Sequence, residues 1–130
     1  MRDADFEANS YDYILSSIAI HHLASPEKRR LFANCHRWLK PGGIFAFADQ
    51  FGATTAQVYE RHIATWKQDS LRAGATEAEW EMWMQHQENC DHHDALPDQL
   101  GWLVESLFEH IDCPWRYLLW TVVQASKPHC

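Results

Sequence analysis

The chain has 130 residues, of which 46% are hydrophobic and seven are tryptophan, a composition typical of one packed domain rather than a disordered segment. Its formal net charge of -7 argues against a nucleic-acid partner, and its longest basic run, Lys28-Arg29-Arg30, predicts only a solvated helix face. No apolar run approaches the ~18 residues of a membrane-spanning helix, so no span is predicted. The scattered cysteines, without a CxxC pair, are typical of reduced thiols and predict a cytoplasmic protein.

The first half of the chain predicts a strand, a helix and a second strand joined by short turns. The segment YDYILSSIAI, from Tyr11, is an apolar run that we expect to be covered on both faces, as in a parallel sheet. Ser25-Pro26 predicts the start of a helix, and Pro41 followed by two glycines predicts its end. Residues 44–48 then predict a short buried strand. Such a βαβ unit places its two strands parallel and side by side.

The second half predicts three helices and a closing pair of strands. Residues 54–88 are helical in character, and the capping-box pattern TEAE starts a second helix among them. The polar segment CDHHD precedes Leu96-Pro97 and a third helix over residues 98–108. Residues 111–125 hold two strand-like runs with Pro114 between or near them, and the strongest strand pattern covers residues 117–123.

Four segments in this order carry a family resemblance: YDYILSSIAIHHL, the helix ending in WLKPGG, the strand IFAFAD, and the closing pair ending in ASKP. Together they resemble the second half of a class I S-adenosylmethionine-dependent methyltransferase, from about residue 3 to residue 128. Similar proteins include small-molecule methyltransferases of the ubiquinone/menaquinone C-methyltransferase group. The resemblance implies an α/β fold: a partial Rossmann-like sheet with a parallel βαβ unit, a C-terminal antiparallel strand pair, helices on both faces and a helical insertion. The implied activity is methyl transfer from S-adenosylmethionine to a small-molecule acceptor.

The resemblance also implies three parts of the chain. Residues 1–52 correspond to the βαβ unit on the cofactor side, residues 53–96 to a helical lid insertion, and residues 97–128 to the final helix and two strands. The family's glycine-rich GxGxG loop has no counterpart, since none of the five glycines forms a GxG. We therefore expect the C-terminal portion of a longer enzyme, inactive by itself and open to self-association through an exposed strand edge. The alternative is a non-catalytic half-domain that completes another chain by strand pairing at residues 11–17.

The candidate site residues lie where ligands bind in parallel α/β sheets, at the carboxyl ends of the strands. By the resemblance, His22 and Asp49 face the cleft as catalytic residues, with a base needed only where the acceptor loses a proton. Structural roles stay open for both, since His22 could cap a helix and Asp49 could bind backbone amides. The resemblance assigns the cofactor side to Asp3, Ser16, Ser17, Ile18, Ile20 and His21.

The CDHHD segment and the helical insertion are implied to form the acceptor side. In similar proteins a D-H-H segment lies near the substrate entrance, which implies a substrate wall or helix cap for Asp91, His92 and His93. Trp83 is the insertion residue expected to reach the pocket. The segment contains metal-ligand types, but neighbours on one loop rarely converge on one ion and no second cluster supplies the usual spacing. No metal site is therefore predicted.

Overall fold

A computed structural model describes residues 3–129, in which four strands form one sheet ordered β1-β2-β4-β3. In chain order the elements are β1 (Tyr11–Ser17), a 3-10 turn (Ile20–His22), α1 (Ser25–Trp38), β2 (Leu39–Gln50), α2 (Ala56–Arg72), α3 (Glu77–Cys90), α4 (Leu96–Glu105), β3 (Glu109–Tyr117) and β4 (Trp120–Ser126). The predicted α/β fold class is confirmed.

The βαβ unit is confirmed, because β1 and β2 pair in parallel with Ser17 opposite Ala48. The helix between them begins at Ser25, one residue earlier than the predicted cap at Ser25 implies, because Ala24 is its N-cap; Pro26 lies in the first turn. Strand β2, however, begins at Leu39 and not at residue 44. Gly42 adopts a φ of 79°, and the backbone N–H of Gly42 donates to the Lys127 carbonyl at 2.9 Å. The KPGG segment is therefore paired within the sheet, which the helix-stop pattern alone does not predict.

The closing strand pair is antiparallel, as predicted, but its break lies elsewhere. Residues 117–123 are two strands and not one, because β3 ends at Tyr117 and β4 starts at Trp120. Leu118, with a φ of 54°, makes the turn between them. Pro114 lies inside β3, where the register shifts. Because β3 is at the edge of the sheet, a residue without an N–H is tolerated there.

The core lies on one face of the sheet, under α1 and α4. Its fully buried members include Phe32 of α1, Phe45 and Phe47 of β2, and Leu103 of α4. The α4 helix runs over Leu96–Glu105, two residues earlier than predicted, so that Phe108 follows the helix and packs into the same core.

The opposite face of the sheet is largely open in the described residues. Tyr13 and Leu15 of β1 are 66% and 73% exposed, so the expectation that this strand is covered on both faces is wrong. Helix α2 reaches this face through Trp66, whose ring lies 5.0 Å from that of Trp120. Among residues 3–129, none of the helices combines the length and apolar character that a bilayer crossing requires.

Candidate functional site

Asp49, at the end of β2, clamps the loop that follows β1. Its Oδ2 accepts hydrogen bonds from the backbone N–H groups of Ile20 at 2.8 Å and His21 at 3.2 Å. Its Oδ1 lies 2.5 Å from Nδ1 of His21 and accepts the N–H of Gln50 at 2.8 Å. The carboxylate is buried by these contacts. It therefore joins the ends of the two parallel strands and holds the His21 ring.

The charge state of Asp49 determines which ring nitrogen of His21 carries the hydrogen. Burial raises the pKa of the Asp49 carboxyl, but hydrogen bonds from His21 and from the Gln50 backbone outweigh that effect, and the pKa lies below its usual value. An ionised carboxylate accepts only, so Nδ1 of His21 carries the hydrogen and donates it. In the neutral ring, Nε2 then holds the free lone pair.

His22 is arranged in the same way as its neighbour. Its Nδ1 lies 3.2 Å from the carbonyl of Ala19, which can only accept, so this nitrogen carries the hydrogen. The rings of His21 and His22 are 4.0 Å apart between centroids. Nε2 of each lies 3.6 Å from Oδ1 of Asp91. Two imidazoles with available nitrogens thus converge on one carboxylate.

The segment after α3 is fixed over the histidine pair by Lys28. The backbone N–H of His92 donates to the carbonyl of His21 at 2.6 Å. The Lys28 ammonium binds the His92 carbonyl and lies 2.7 Å from Oδ2 of Asp94. Lys28 is 1% exposed, so the prediction that it belongs to a solvated face is wrong. A signal was available, because Lys28 lies four residues before the core residue Phe32, on the same helix face.

His93 is a buried bridge between α2 and the end of β2. Burial lowers its pKa to about 4, so the ring is neutral. Its Nε2 donates to Oε1 of Gln50 at 3.0 Å, and its Nδ1 accepts from the Tyr59 hydroxyl at 2.8 Å. Burial and the charge of Asp91 raise the pKa of Tyr59 to about 12, which keeps that hydroxyl protonated. With both nitrogens engaged, His93 positions α2 and has no free nitrogen to offer a ligand.

These contacts enclose a cleft of about 320 Å³ at the carboxyl ends of β1 and β2. Its aromatic side is formed by Trp66 and Trp83. Its polar side is formed by six residues: His21, His22, Gln50, His86, Gln87 and Asp91. Trp66 is held edge-on to a neighbouring indole ring of α3 at 5.0 Å. The helical insertion thus contributes an aromatic wall to the strand-end site.

The structure brings together some of the sequence-predicted residues and separates others. His21, His22, Asp91 and Trp83 surround the cleft, and Asp49 reaches it only through His21. Ile18 lines the cleft and is exposed, and Ser17 is exposed at the end of β1. Ser16 is half-buried and lines the apolar groove beneath β1.

Ile18 also adopts an unusual backbone conformation. Its φ of 49° is rare for a β-branched residue and marks a strained point at the strand end.

Three further predicted residues lie away from the cleft. The Ile20 side chain is buried in the core and borders the apolar groove beneath β1. Asp3 is exposed in the turn before β1, next to Ala4, which lines the same groove. The side chain of His92 is exposed, and only its backbone contributes to the site.

Comparison with known proteins points to methyltransferases. Residues 1–47 match the family model described as a methyltransferase domain. The chain is similar to the phosphoethanolamine N-methyltransferase of Plasmodium falciparum, with 42% identity over 45 residues, which are 35% of this chain and 17% of that protein.

Two solved structures share the fold. The Haemonchus contortus phosphoethanolamine N-methyltransferase 2, in complex with phosphomonomethylethanolamine and S-adenosylhomocysteine, has a TM-score of 0.63 at 17% identity, over 95% of this chain and 35% of that one. An O-methyltransferase family 2 protein from Planctomyces limnophilus, in complex with apigenin, has a TM-score of 0.62 at 17% identity. The match covers 97% of this chain and 32% of that one. The chain thus spans about a third of the length of these structures.

These similarities confirm the predicted resemblance at the level of the fold. The chain shares the fold of class I S-adenosylmethionine-dependent methyltransferases, and its first third also matches methyltransferases in sequence. The proteins named above do not single out the ubiquinone/menaquinone group.

Proposed function

We propose that this chain forms the acceptor side, and part of the cofactor side, of a methyltransferase that uses S-adenosylmethionine on a small molecule. The observation that carries the proposal is the His21–Asp49 pair at the ends of two adjacent parallel strands, beside a cleft of about 320 Å³. Clefts of this size bind small molecules, and the strand-end position is the usual ligand site of open α/β sheets.

The residues at the end of β1 suit part of the cofactor. Ser17 and Ile18 are exposed there and offer a hydroxyl and an apolar surface to an adenosyl group. The cofactor supplies a methyl group on a positively charged sulfur. Since transfer is an in-line displacement, the task of the chain is to orient the acceptor and exclude water.

The proton-accepting group in this proposal is His21, with His22 beside it. Nε2 of His21 faces the cleft with its lone pair and takes the proton from an acceptor hydroxyl or amine. The ionised Asp49 fixes the ring and stabilises the imidazolium that results, so Asp49 is a positioning residue. Trp66 and Trp83 then cover a planar or cationic part of the acceptor.

The lid role of residues 53–96 and the assignment of Asp91, His92 and His93 to the acceptor side belong to the same proposal. So does the expectation that the full cofactor site needs a glycine-loop half, whether from the same polypeptide or from another. Calorimetry of these 130 residues with S-adenosylmethionine is expected to show no saturation in the micromolar range. Micromolar affinity would contradict this part of the proposal and leave the rest intact.

The methyl-transfer proposal is tested with the natural gene product, as expressed and purified, and S-adenosylmethionine labelled on the methyl group. We expect label to enter acceptors from a panel of phenols and amines. His21→Ala is expected to lower kcat about 10²- to 10⁴-fold, the usual contribution of a general base. His110→Ala is the matched control, because its side chain is 79% exposed on β3 and does not line the cleft. Equal turnover by wild type and His21→Ala would exclude the proposed base.

A second candidate function is a non-catalytic half-domain that pairs with another chain through β1. This strand is at the edge of the sheet, and Tyr13 and Leu15 expose apolar surface along it. Such edges invite pairing with a further strand. Solution mass separates the two candidates: a stable complex without methyl transfer favours the half-domain, and methyl transfer favours the enzyme.

A further inference from the structure

We propose that His21, His22 and Asp91 form a binding site for a divalent transition-metal ion of the zinc type. The inference goes beyond the proposed function, because ion binding by these side chains does not require methyl transfer. The three side chains come from the turn after β1 and from the segment after α3, which the backbone bond between His92 and His21 holds together.

The geometry of the three groups is close to that of a loaded site. One nitrogen or oxygen of each lies within 4.8 Å of the other two, and each Nε2 is 3.6 Å from Oδ1 of Asp91. A tetrahedral ion with bonds of about 2.0–2.1 Å spaces its ligand atoms about 3.4 Å apart. Small side-chain rotations therefore bring the three atoms onto one ion.

Oδ1 of Asp91 points to a missing ligand. The side chain is 6% exposed, and Oδ1 has no hydrogen-bond partner. A buried carboxylate oxygen without a partner is costly. Hydrogen bonds from histidines do not explain the arrangement. Charge-assisted hydrogen bonds have lengths of about 2.7–2.9 Å, whereas Nε2 of His21, His22 and His86 lies 3.6, 3.6 and 3.9 Å from this oxygen. A metal ion bound between the three groups would give Oδ1 of Asp91 the partner that it lacks.

The outer contacts of both histidines are those that metal-binding histidines make. Ligand histidines donate their second N–H to a carboxylate or a backbone carbonyl, which fixes the ring and directs the other nitrogen to the ion. His21 does so with Asp49, and His22 does so with the carbonyl of Ala19. Each ring therefore presents Nε2 to the proposed ion in the required tautomer.

The donor set also indicates the ion. Two imidazoles and one carboxylate suit zinc, cobalt, nickel or copper, whereas magnesium and calcium prefer oxygen ligands throughout. Three protein ligands leave one position open toward the cleft. Because a bound ion occupies Nε2 of His21, ion binding and proton acceptance by that nitrogen exclude each other.

The test is equilibrium dialysis of the purified chain against ZnCl₂, with zinc measured by elemental analysis and folding checked by circular dichroism. One ion per chain is expected. His22→Ala should weaken binding at least about 10-fold, and it carries the test because the His22 side chain is 47% exposed and its loss disturbs little packing. Asp91→Asn should weaken binding similarly.

His92→Ala is the matched control, since it removes an exposed histidine from the same segment and should leave affinity unchanged. The proposal is overturned if His22→Ala and Asp91→Asn bind zinc as wild type does, or if His92→Ala weakens binding equally, since either result indicates unspecific surface histidines. The readout is independent of catalysis. Loss of zinc binding would therefore reject only the ion site, and absent methyl transfer by metal-free protein would reject only the proposed function.

Discussion

The two faces of the sheet are built from alternate residues of the same strands, yet they end in opposite environments. On the side of α1 and α4, Phe45, Phe47 and Val123 are fully buried. On the other side, Tyr13 and Leu15 of β1 are mostly exposed, next to the half-buried Ala46 of β2. Both faces have the apolar composition of a parallel sheet that is covered twice. Strand alternation therefore decides which face a side chain joins, but only a second layer decides whether it is buried.

The contrast between the faces is sharpest at Phe47 and Leu15. We expect Phe47→Ala to lower the free energy of unfolding by about 3–5 kcal/mol, because it opens a cavity in the core. Leu15→Ala is the control on the open face, and it should change the free energy of unfolding by less than about 0.5 kcal/mol. Urea denaturation followed by circular dichroism measures both. A large loss for Leu15→Ala would mean that the open face is covered in solution.

A buried and an exposed side chain can also be compared at two neighbouring basic residues of α1, Lys28 and Arg29. We expect Lys28→Ala to lower the free energy of unfolding by about 3 kcal/mol, because it leaves Asp94 and the His92 carbonyl without their buried ammonium partner. This loss of stability is near the lower end of the range for breaking a buried ion pair, because Asp94 is 21% exposed and still accepts a hydrogen bond from the Ser25 hydroxyl.

Arg29→Ala is the matched control for that measurement. It removes only an exposed ion pair with Glu105 and should lower the free energy of unfolding by less than about 0.5 kcal/mol. Equal losses for the two variants, measured by urea denaturation, would show that Lys28 does not hold the segment over the histidine pair.

The smallest effect is a difference in reactivity between two thiols. Cys35 lies in the core on the covered side, and burial raises its pKa to about 12, whereas Cys90 is exposed. We expect Cys35 to react with a thiol reagent at least about 100-fold more slowly than Cys90 at neutral pH. Peptide mass spectrometry after timed labelling measures each rate. Comparable rates would show that the covered face opens readily.

The sequence by itself determined the order of elements, the parallel βαβ unit and the antiparallel closure. These follow from local patterns: apolar runs, the proline that starts α1, and the glycines after it. The parallel pairing follows in turn from the crossover helix between β1 and β2. That is why the strand-end position of Ser17, His21 and Asp49 could be predicted without coordinates.

Only the tertiary structure decided how the site is assembled. Lys28 was predicted to lie in solvent, but its partner Asp94 is 66 positions further along the chain. Asp49 was expected at the cleft, but it lies behind His21, and Asp91 joins the histidine pair from a separate segment. Contacts of this kind depend on how distant segments dock against each other. Local periodicity carries no information about that docking, so the sequence could supply the residue types of the site but not their arrangement.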